Sequence, residues 1–180
     1  MIVIIEGLDG VGKTTVAERF SQKYNFEYIK ESYTDNLEEK EKRVRSLLQR
    51  LESDKNYIYD RTTLIDDFVY SFLNKTESTL SKYKSTILDG LSKCKIFHLV
   101  LDEKIRKERF DQRGDEYVTN DMMKQIANNY FDFYLQLDNV ITFDLTGDVE
   151  KDVDNLMMEV INENKNFTHS IKWFTWFNRW

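Results

Sequence analysis

Residues 1–15 read MIVIIEGLDGVGKTT: a short apolar run at 2–5, a glycine-rich turn, then a lysine and two threonines. Residues 7–14, GLDGVGKT, match G-x-x-x-x-G-K-[ST] at every fixed position. Glycines let the backbone turn tightly enough for successive N–H groups to converge on phosphate oxygens. Lys13 brings a mobile ammonium to the β- and γ-phosphates, and the Thr14 hydroxyl suits Mg²⁺. The helix that follows adds its positive N-terminal end. The strand before the turn and the helical pattern after it are the context such a loop needs. Gly7, Asp9, Gly10, Val11, Gly12, Lys13, Thr14 and Thr15 are therefore the candidate residues for binding ATP. Asp9 stands out, because a carboxylate among phosphates repels them unless it turns away. It is expected to face a second substrate, such as a sugar hydroxyl.

The same alternation continues along the chain. Further apolar runs fall at 26–29, 57–59, 96–101 and 140–143, and their β-branched and aromatic content predicts strands buried on both faces. Helical patterns occupy 13–24, 37–52, 63–73, 78–92, 103–112, 120–137 and 149–162. In the second of these, Val44, Leu47, Leu48 and Leu51 repeat at three- and four-residue spacing. Strands alternating with helices predict a parallel α/β sheet. No repeat or Gly/Ser linker interrupts it, so residues 1–163 read as one domain. An aromatic C-terminal tail, 164–180, carries all three tryptophans, Trp173, Trp176 and Trp180. The tail is expected to dock on the core or in a dimer interface.

The composition excludes several classes. The 180 residues carry 26 Lys and Arg against 32 Asp and Glu, for a net charge of −6 at pH 7. An acidic chain of this kind is not a general nucleic-acid coat. No apolar run approaches the roughly 20 residues that span a bilayer. A single cysteine, Cys94, excludes an internal disulfide framework. No secretory leader precedes the first strand, so the protein is expected to be cytoplasmic. Cys94, His98 and His169 lack partners at ligand spacing and read as structural, with no zinc-like cluster.

Two more constellations bear on chemistry. Asp60-Arg61-Thr62 follows the run at 57–59, and strand C-terminal ends face the ligand crevice in open α/β sheets. Asp60 there can hold the metal's water shell, making Thr14 and Asp60 the metal candidates, or accept a proton from an acceptor. Arg61 can grip a phosphate bidentately. In EKIRKERFDQR, 103–113, Arg106, Arg109 and Arg113 share one helix face and can close over a triphosphate. Lys13, Asp60, Arg61, Arg106, Arg109 and Arg113 are the catalytic candidates. Asp66 and Asp67 read either as polar helix surface or as part of the acceptor site.

These residues together resemble the thymidylate kinases: IIEGLDGVGKTT, a strand ending in Asp60-Arg61, HLVLD at 98–102 before the arginine segment, Tyr130 in a helix, and ITFDLTGDVEKDV at 141–153. The resemblance spans most of residues 1–163. It implies a three-layer P-loop NTPase fold, with a five-stranded parallel sheet flanked by helices and a small arginine-bearing lid. It places the adenine near Thr146 and Gly147, a deoxynucleoside monophosphate opposite, and Lys13 and Arg61 between the two phosphates. It also implies a homodimer. Gly10 stands where some members carry a basic residue, whereas others place their basic residues in the lid, as here. The chain departs on the acceptor side. Lys30-Glu31-Ser32-Tyr33 replaces the usual Arg-Glu-Pro-Gly-Gly, and Thr62 and Ile65 replace a tyrosine and a serine. The stretch 60–70 also resembles the Glu-Arg-Ser region of deoxynucleoside kinases, with Asp66, Val69 and Tyr70 in fitting places and Asp60 in the place of their catalytic glutamate.

The expectation is an ATP- and Mg²⁺-dependent nucleotide kinase forming deoxynucleoside diphosphates for DNA precursor synthesis. Its partners are a small-molecule nucleotide or nucleoside, with no nucleic acid and no membrane. A deoxynucleoside kinase and a non-catalytic ATP-binding module are the alternatives. A GTPase is disfavoured, because the nearest guanine-reading motif, Asn74-Lys75-Thr76-Glu77, ends in the wrong acid.

Overall fold

The computed structural model describes residues 1–32, 34–71, 78–113 and 119–162, with backbone alone at 113, 120 and 121. The C-terminal tail at 164–180 and the Asn74–Glu77 stretch lie outside the described residues.

Strand β1 (Ile2–Glu6) is buried along its whole length, and helix α1 (Lys13–Tyr24) begins at the end of the glycine-rich turn. Then come β2 (Glu27–Lys30), α2 (Leu37–Leu51), β3 (Tyr57–Asp60), α3 (Thr63–Val69), α4 (Lys84–Ser92), β4 (Lys95–Val100), α5 (Glu103–Arg113), α6 (Asn120–Tyr134), β5 (Val140–Asp144) and α7 (Val149–Ile161). The strands form one five-stranded sheet of order β2-β3-β1-β4-β5, every neighbouring pair parallel. Helices α1 and α7 pack together, joined by the Arg19–Glu150 and Lys23–Asp154 ion pairs; α2 packs on α3 and α4, and α3 on α6. This is the expected three-layer P-loop NTPase architecture.

The apolar runs mark the strands because β1, β3 and β4 lie inside the sheet with helices on both sides. Burial of both faces fails at the two edge strands, at β5, where only Phe143 is buried, and at β2. It is an edge strand whose ends, Glu27 and Lys30, are exposed, and charge at an edge discourages further pairing. The helix expected at 78–92 is also divided. A 3-10 turn at Ser81–Tyr83 precedes α4, and upstream of it Asp67 accepts hydrogen bonds from Ser78 Oγ, Thr79 Oγ1 and the Leu80 N–H. The α3 pattern, expected to reach residue 73, stops at Val69.

Helix starts follow the capping residues. Asn36, Thr62, Thr119 and Asp148 each accept a hydrogen bond from a backbone N–H in the first turn of the helix they open. The sheet register places Ile5 of β1 beside Asp60 of β3, and Lys30 of β2 on the other side of Asp60. The C-terminal ends of three strands thus meet the loop that follows β1.

Candidate active site

The loop between β1 and α1 takes its shape from glycines in left-handed or still less accessible backbone. Gly7 has φ +138° and Gly10 φ +89°. A Cβ on Gly7 would lie 2.6 Å from the Leu99 carbonyl oxygen, and one on Gly10 2.8 Å from that of Arg106. The loop is therefore wedged between β4 and α5 at distances only glycine allows. Gly12 opens α1, leaving the first N–H groups of that helix facing the loop.

Lys13 is buried and donates from Nζ to the carbonyl oxygens of Gly7 at 2.7 Å and Leu8 at 2.9 Å. Its Nζ lies 3.6 Å from the Asp9 carboxylate. Burial and the Arg61 charge lower its pKa to about 8, while Asp9, Glu6 and Asp66 hold it up. The Thr14 hydroxyl donates to Asp60 Oδ2 at 2.6 Å, and Tyr28 donates to the same oxygen at 3.0 Å. Lys30 Nζ is 3.9 Å from it. Tyr28 and Lys30 reach one atom because residues two apart share a strand face. A hydroxyl beside a carboxylate is a hard-oxygen donor set that suits Mg²⁺ together with phosphate and water. Among the described residues no cluster of three His, Cys, Asp or Glu could hold a metal by itself.

On the other side of Lys13 lies a polar cluster that the sequence shows only in part. Arg61 has φ +67°, unusual for a residue with a side chain, and its guanidinium pairs with the Asp9 carboxylate. Asp9 is thus turned toward Arg61. Below them Glu6 is fully buried and accepts from the Thr62 N–H at 2.8 Å. The Tyr130 hydroxyl lies 3.2 Å from Glu6 Oε2 and 3.3 Å from Asp66 Oδ1, bridging the two acids. Burial, and next the Asp66 charge, raise the Glu6 pKa well above the usual carboxylate range. Burial raises Asp66 to about 6, against the pull of Arg61 and Lys13. Tyr70 stands beside this cluster, its ring edge-on to Tyr130. Asp66 therefore belongs to this cluster and not to a polar helix surface. Asp67 instead makes a buried ion pair with Lys40 at 2.6 Å.

Glu31, just past β2, accepts from the Thr63 N–H at 2.7 Å, and Arg43 of α2 donates to Thr63 Oγ1 and the Ser32 carbonyl. The sequence reading missed Glu6 and Glu31. The available signal was a carboxylate closing each of two strands that point into the crevice.

Helix α5 corrects one expectation. Arg106 does not overhang the phosphates: it is buried, donates to both oxygens of Glu103 at 2.7 Å, and donates to the Asp9 carbonyl at 3.1 Å. It braces the loop from behind. Arg109 is exposed, with Nη1 3.7 Å from the position a Gly12 Cβ would take, so it does lie over the loop. The Arg113 side chain lies outside the described residues. Thr15 is exposed in the first turn of α1. Beside Gly12 a groove lined by Val11, Leu101, Arg109, Leu145 and Gly147 runs toward the β5–α7 loop. That loop is held by buried Asp152, which accepts from the Thr146 N–H at 2.8 Å, Thr146 Oγ1 at 2.7 Å and the Gly147 N–H at 3.2 Å. Cys94 and His98 are buried and structural, His98 packing against Tyr130 and Tyr134.

Sheet order, loop and helix together define a P-loop nucleoside-triphosphate-binding protein. Residues 3–97 match the ATPase family associated with various cellular activities (AAA), and the chain belongs to that family. It is 27% identical over 131 residues to the SPbeta prophage-derived uncharacterized protein YorR of Bacillus subtilis (strain 168), covering 72% of this chain and 79% of that one. The crystal structure of YorR in complex with phosphorylated GDP superposes with a TM-score of 0.68 at 24% identity, over 89% of this chain and 95% of YorR. Deoxyadenosine kinase from M. mycoides with bound dCTP gives 0.58 at 23% identity, over 89% and 98%. Thymidylate kinase from Candida albicans gives 0.57 at 16%, over 93% of each chain. At these identities the three structures share the fold. Among the described residues no helix is long and apolar enough to cross a membrane.

Proposed function

We propose that the protein is a Mg²⁺-ATP-dependent kinase that phosphorylates a deoxynucleoside monophosphate. The observation that carries this reading is the second polar cluster, Asp9, Arg61, Asp66 and Tyr70, across Lys13 from the adenine-side groove. An ATPase that uses water needs no such second binding face. The fold relative named as a thymidylate kinase is consistent with it, whereas the one named as a deoxyadenosine kinase is in line with a nucleoside acceptor.

In this reading the phosphate loop holds the β- and γ-phosphates, and Lys13 exchanges its two loop carbonyls for phosphate oxygens. Thr14, with Asp60 behind it, would hold Mg²⁺, which would supply charge neutralisation at the phosphates. An acceptor phosphate oxygen attacks the γ-phosphorus in line, the bond to the β–γ bridging oxygen breaks, and ADP leaves with that oxygen. Arg61 lies between the donor and acceptor sides and steadies the charge on the transferring group. Arg109, over the loop, adds a cation from the donor side.

A specific observation also favours a nucleoside acceptor. The acceptor side holds the carboxyl groups of Glu6, Asp9, Glu31 and Asp66, and the Arg61 charge is already paired with Asp9. Asp60 or Glu31 would then take the hydroxyl proton. ADP release in Mg²⁺-ATP with each deoxynucleoside monophosphate and each free nucleoside, with products weighed by mass spectrometry, decides. Diphosphate products establish the first reading and monophosphate products the second. Failure to phosphorylate any acceptor while ATP still binds overturns both. Lys13→Ala should abolish transfer in a folded protein.

A further inference from the structure

Helix α7 ends at Ile161, and Asn162 leaves helical geometry with φ −78° and ψ 96°. Its last turn is held at the end of the sheet where β4 begins, because Lys95 donates to the Val160 carbonyl. The inner side of the helix is packed, with Val153, Leu156 and Val160 buried. The outer side is bare and apolar at its end. Met158 is 63% exposed and Ile161 55%. Being three residues apart, they lie on one helix face. A single exposed apolar residue is ordinary. Here the most exposed large apolar side chain among the described residues has a second one beside it, on the last turns of a helix that leads straight into an aromatic segment.

That segment is rich in what the face lacks. Seven of the residues at 163–180 are large and apolar: the three tryptophans, Phe167, Phe174, Phe177 and Ile171. Between α7 and the first of them the chain reads Asn-Glu-Asn-Lys-Asn, 162–166, polar residues that favour turns. A reversal of about five residues is enough to send a chain back along a helix. Residues 167–180 then suffice to run the length of α7, which has 13 residues, even at the compact rise of about 1.5 Å per residue. The charges agree. Glu150 and Asp154 lead up to Met158 at four-residue spacing and are exposed, with part of their charge taken by Arg19 and Lys23. The tail carries Lys165, Lys172 and Arg179 against one acid, Glu163, in a chain of net charge −6.

We propose that residues 167–180 double back over Met158 and Ile161 of α7, so that the partner of this face is the chain's own aromatic tail. The covalent link keeps the tail at an effective concentration on the order of millimolar beside the face, which favours it over a second copy. The acidic body of the chain disfavours an anionic lipid surface. Docked there, the tail braces the helix whose buried Asp152 holds the β5–α7 loop at Thr146 and Gly147.

All three tryptophans lie in the tail, so tryptophan fluorescence of the full chain reports on that segment alone. Emission should lie to the blue of free tryptophan and resist acrylamide quenching, equally at every protein concentration. Met158→Lys combined with Ile161→Lys should move emission to the red and open the tryptophans to the quencher. Leu37→Lys, an exposed apolar position on α2, should change neither. Circular dichroism checks that the variants are folded, and Met158→Ser with Ile161→Ser repeats the comparison if the lysines unfold the chain. Tryptophans as exposed as the free amino acid overturn the proposal, as does emission that neither folded double variant moves. Protection that appears only as rising concentration brings two copies together overturns it in favour of a second copy. Protection that appears only with vesicles of anionic phospholipid overturns it in favour of a membrane surface.

Discussion

The Arg61 guanidinium pairs with the Asp9 carboxylate and so ties the end of β3 to the middle of the phosphate loop. The pair is made from a backbone that most side chains avoid, with φ +67° at Arg61, and the Arg61 N–H is fixed by the Ile5 carbonyl at 3.0 Å. A left-handed residue with a Cβ costs about 1–2 kcal/mol, and strain of this kind concentrates at functional sites.

Two substitutions at this position separate strain from charge. Arg61→Gly and Arg61→Ala both remove the guanidinium, and both should lower kcat at least ~100-fold if Arg61 steadies the transferring phosphoryl group. Only glycine relieves the backbone. Arg61→Gly should therefore be more stable than Arg61→Ala by about 1–2 kcal/mol, read from urea unfolding midpoints at equal m-values. Equal stabilities would show that the backbone at residue 61 is not strained.

The acid pair beneath the site makes a pH prediction. An ordinary aspartate titrates near pH 4, whereas Asp66 in the folded protein titrates near 6. Between those values the folded state holds a proton that the unfolded state has released. Stability from this group therefore falls as pH rises, by about 1.4 kcal/mol per unit across that window. Asp66→Asn keeps the shape of the neutral acid and cannot ionise. Its stability should match the parent near pH 4 and exceed it at pH 7. Parallel stability curves for the two proteins between pH 4 and 7 would refute the raised pKa.

What the sequence reveals follows from what each residue's type demands. The loop was legible because no other residue tolerates the backbone at Gly7 and Gly10, and Asp60 and Arg61 because polar residues directly after an apolar run mark a strand's end. Arg106 was misread. Spacing correctly placed Arg106 and Arg109 on one helix face, but spacing does not tell which residue of that face lies under the loop, or that Glu103, one turn earlier, occupies the guanidinium. The Glu6–Tyr130–Asp66 bridge joins residues 60 and more positions apart, so no local pattern announces it. β2 was expected to be buried because edge position is a property of strand order, which apolar content does not encode.

Lys13 sets the pH range for nucleotide binding. With its pKa lowered to about 8 in the free protein, it is charged at neutral pH and loses its proton just above. Polyphosphate favours the charged form, so above pH 8 binding must first return that proton. ATP affinity should be flat from pH 6.5 to 7.5 and fall about tenfold per unit well above 8. Calorimetric titration at several pH values, in buffers of different ionisation heat, would show proton uptake on binding at pH 8.5. Lys13→Met should bind weakly and without that dependence. A parent protein whose affinity is unchanged up to pH 9.5 would place the lysine's pKa near its ordinary value.

Gly10 couples the phosphate loop to α5. Its φ of +89° suits glycine, and an added Cβ would come within 2.8 Å of the Arg106 carbonyl oxygen, which is backbone and cannot rotate away. Arg106 in turn is locked to Glu103 and to the Asp9 carbonyl, so α5 cannot yield without releasing the loop. Gly10→Ala should therefore cost both backbone strain, about 1–2 kcal/mol, and the alignment of the loop N–H groups. ATP affinity should drop more than tenfold, with a fall in unfolding midpoint. Unchanged ATP affinity in a folded Gly10→Ala protein would show that the contact with Arg106 has no part in shaping the loop.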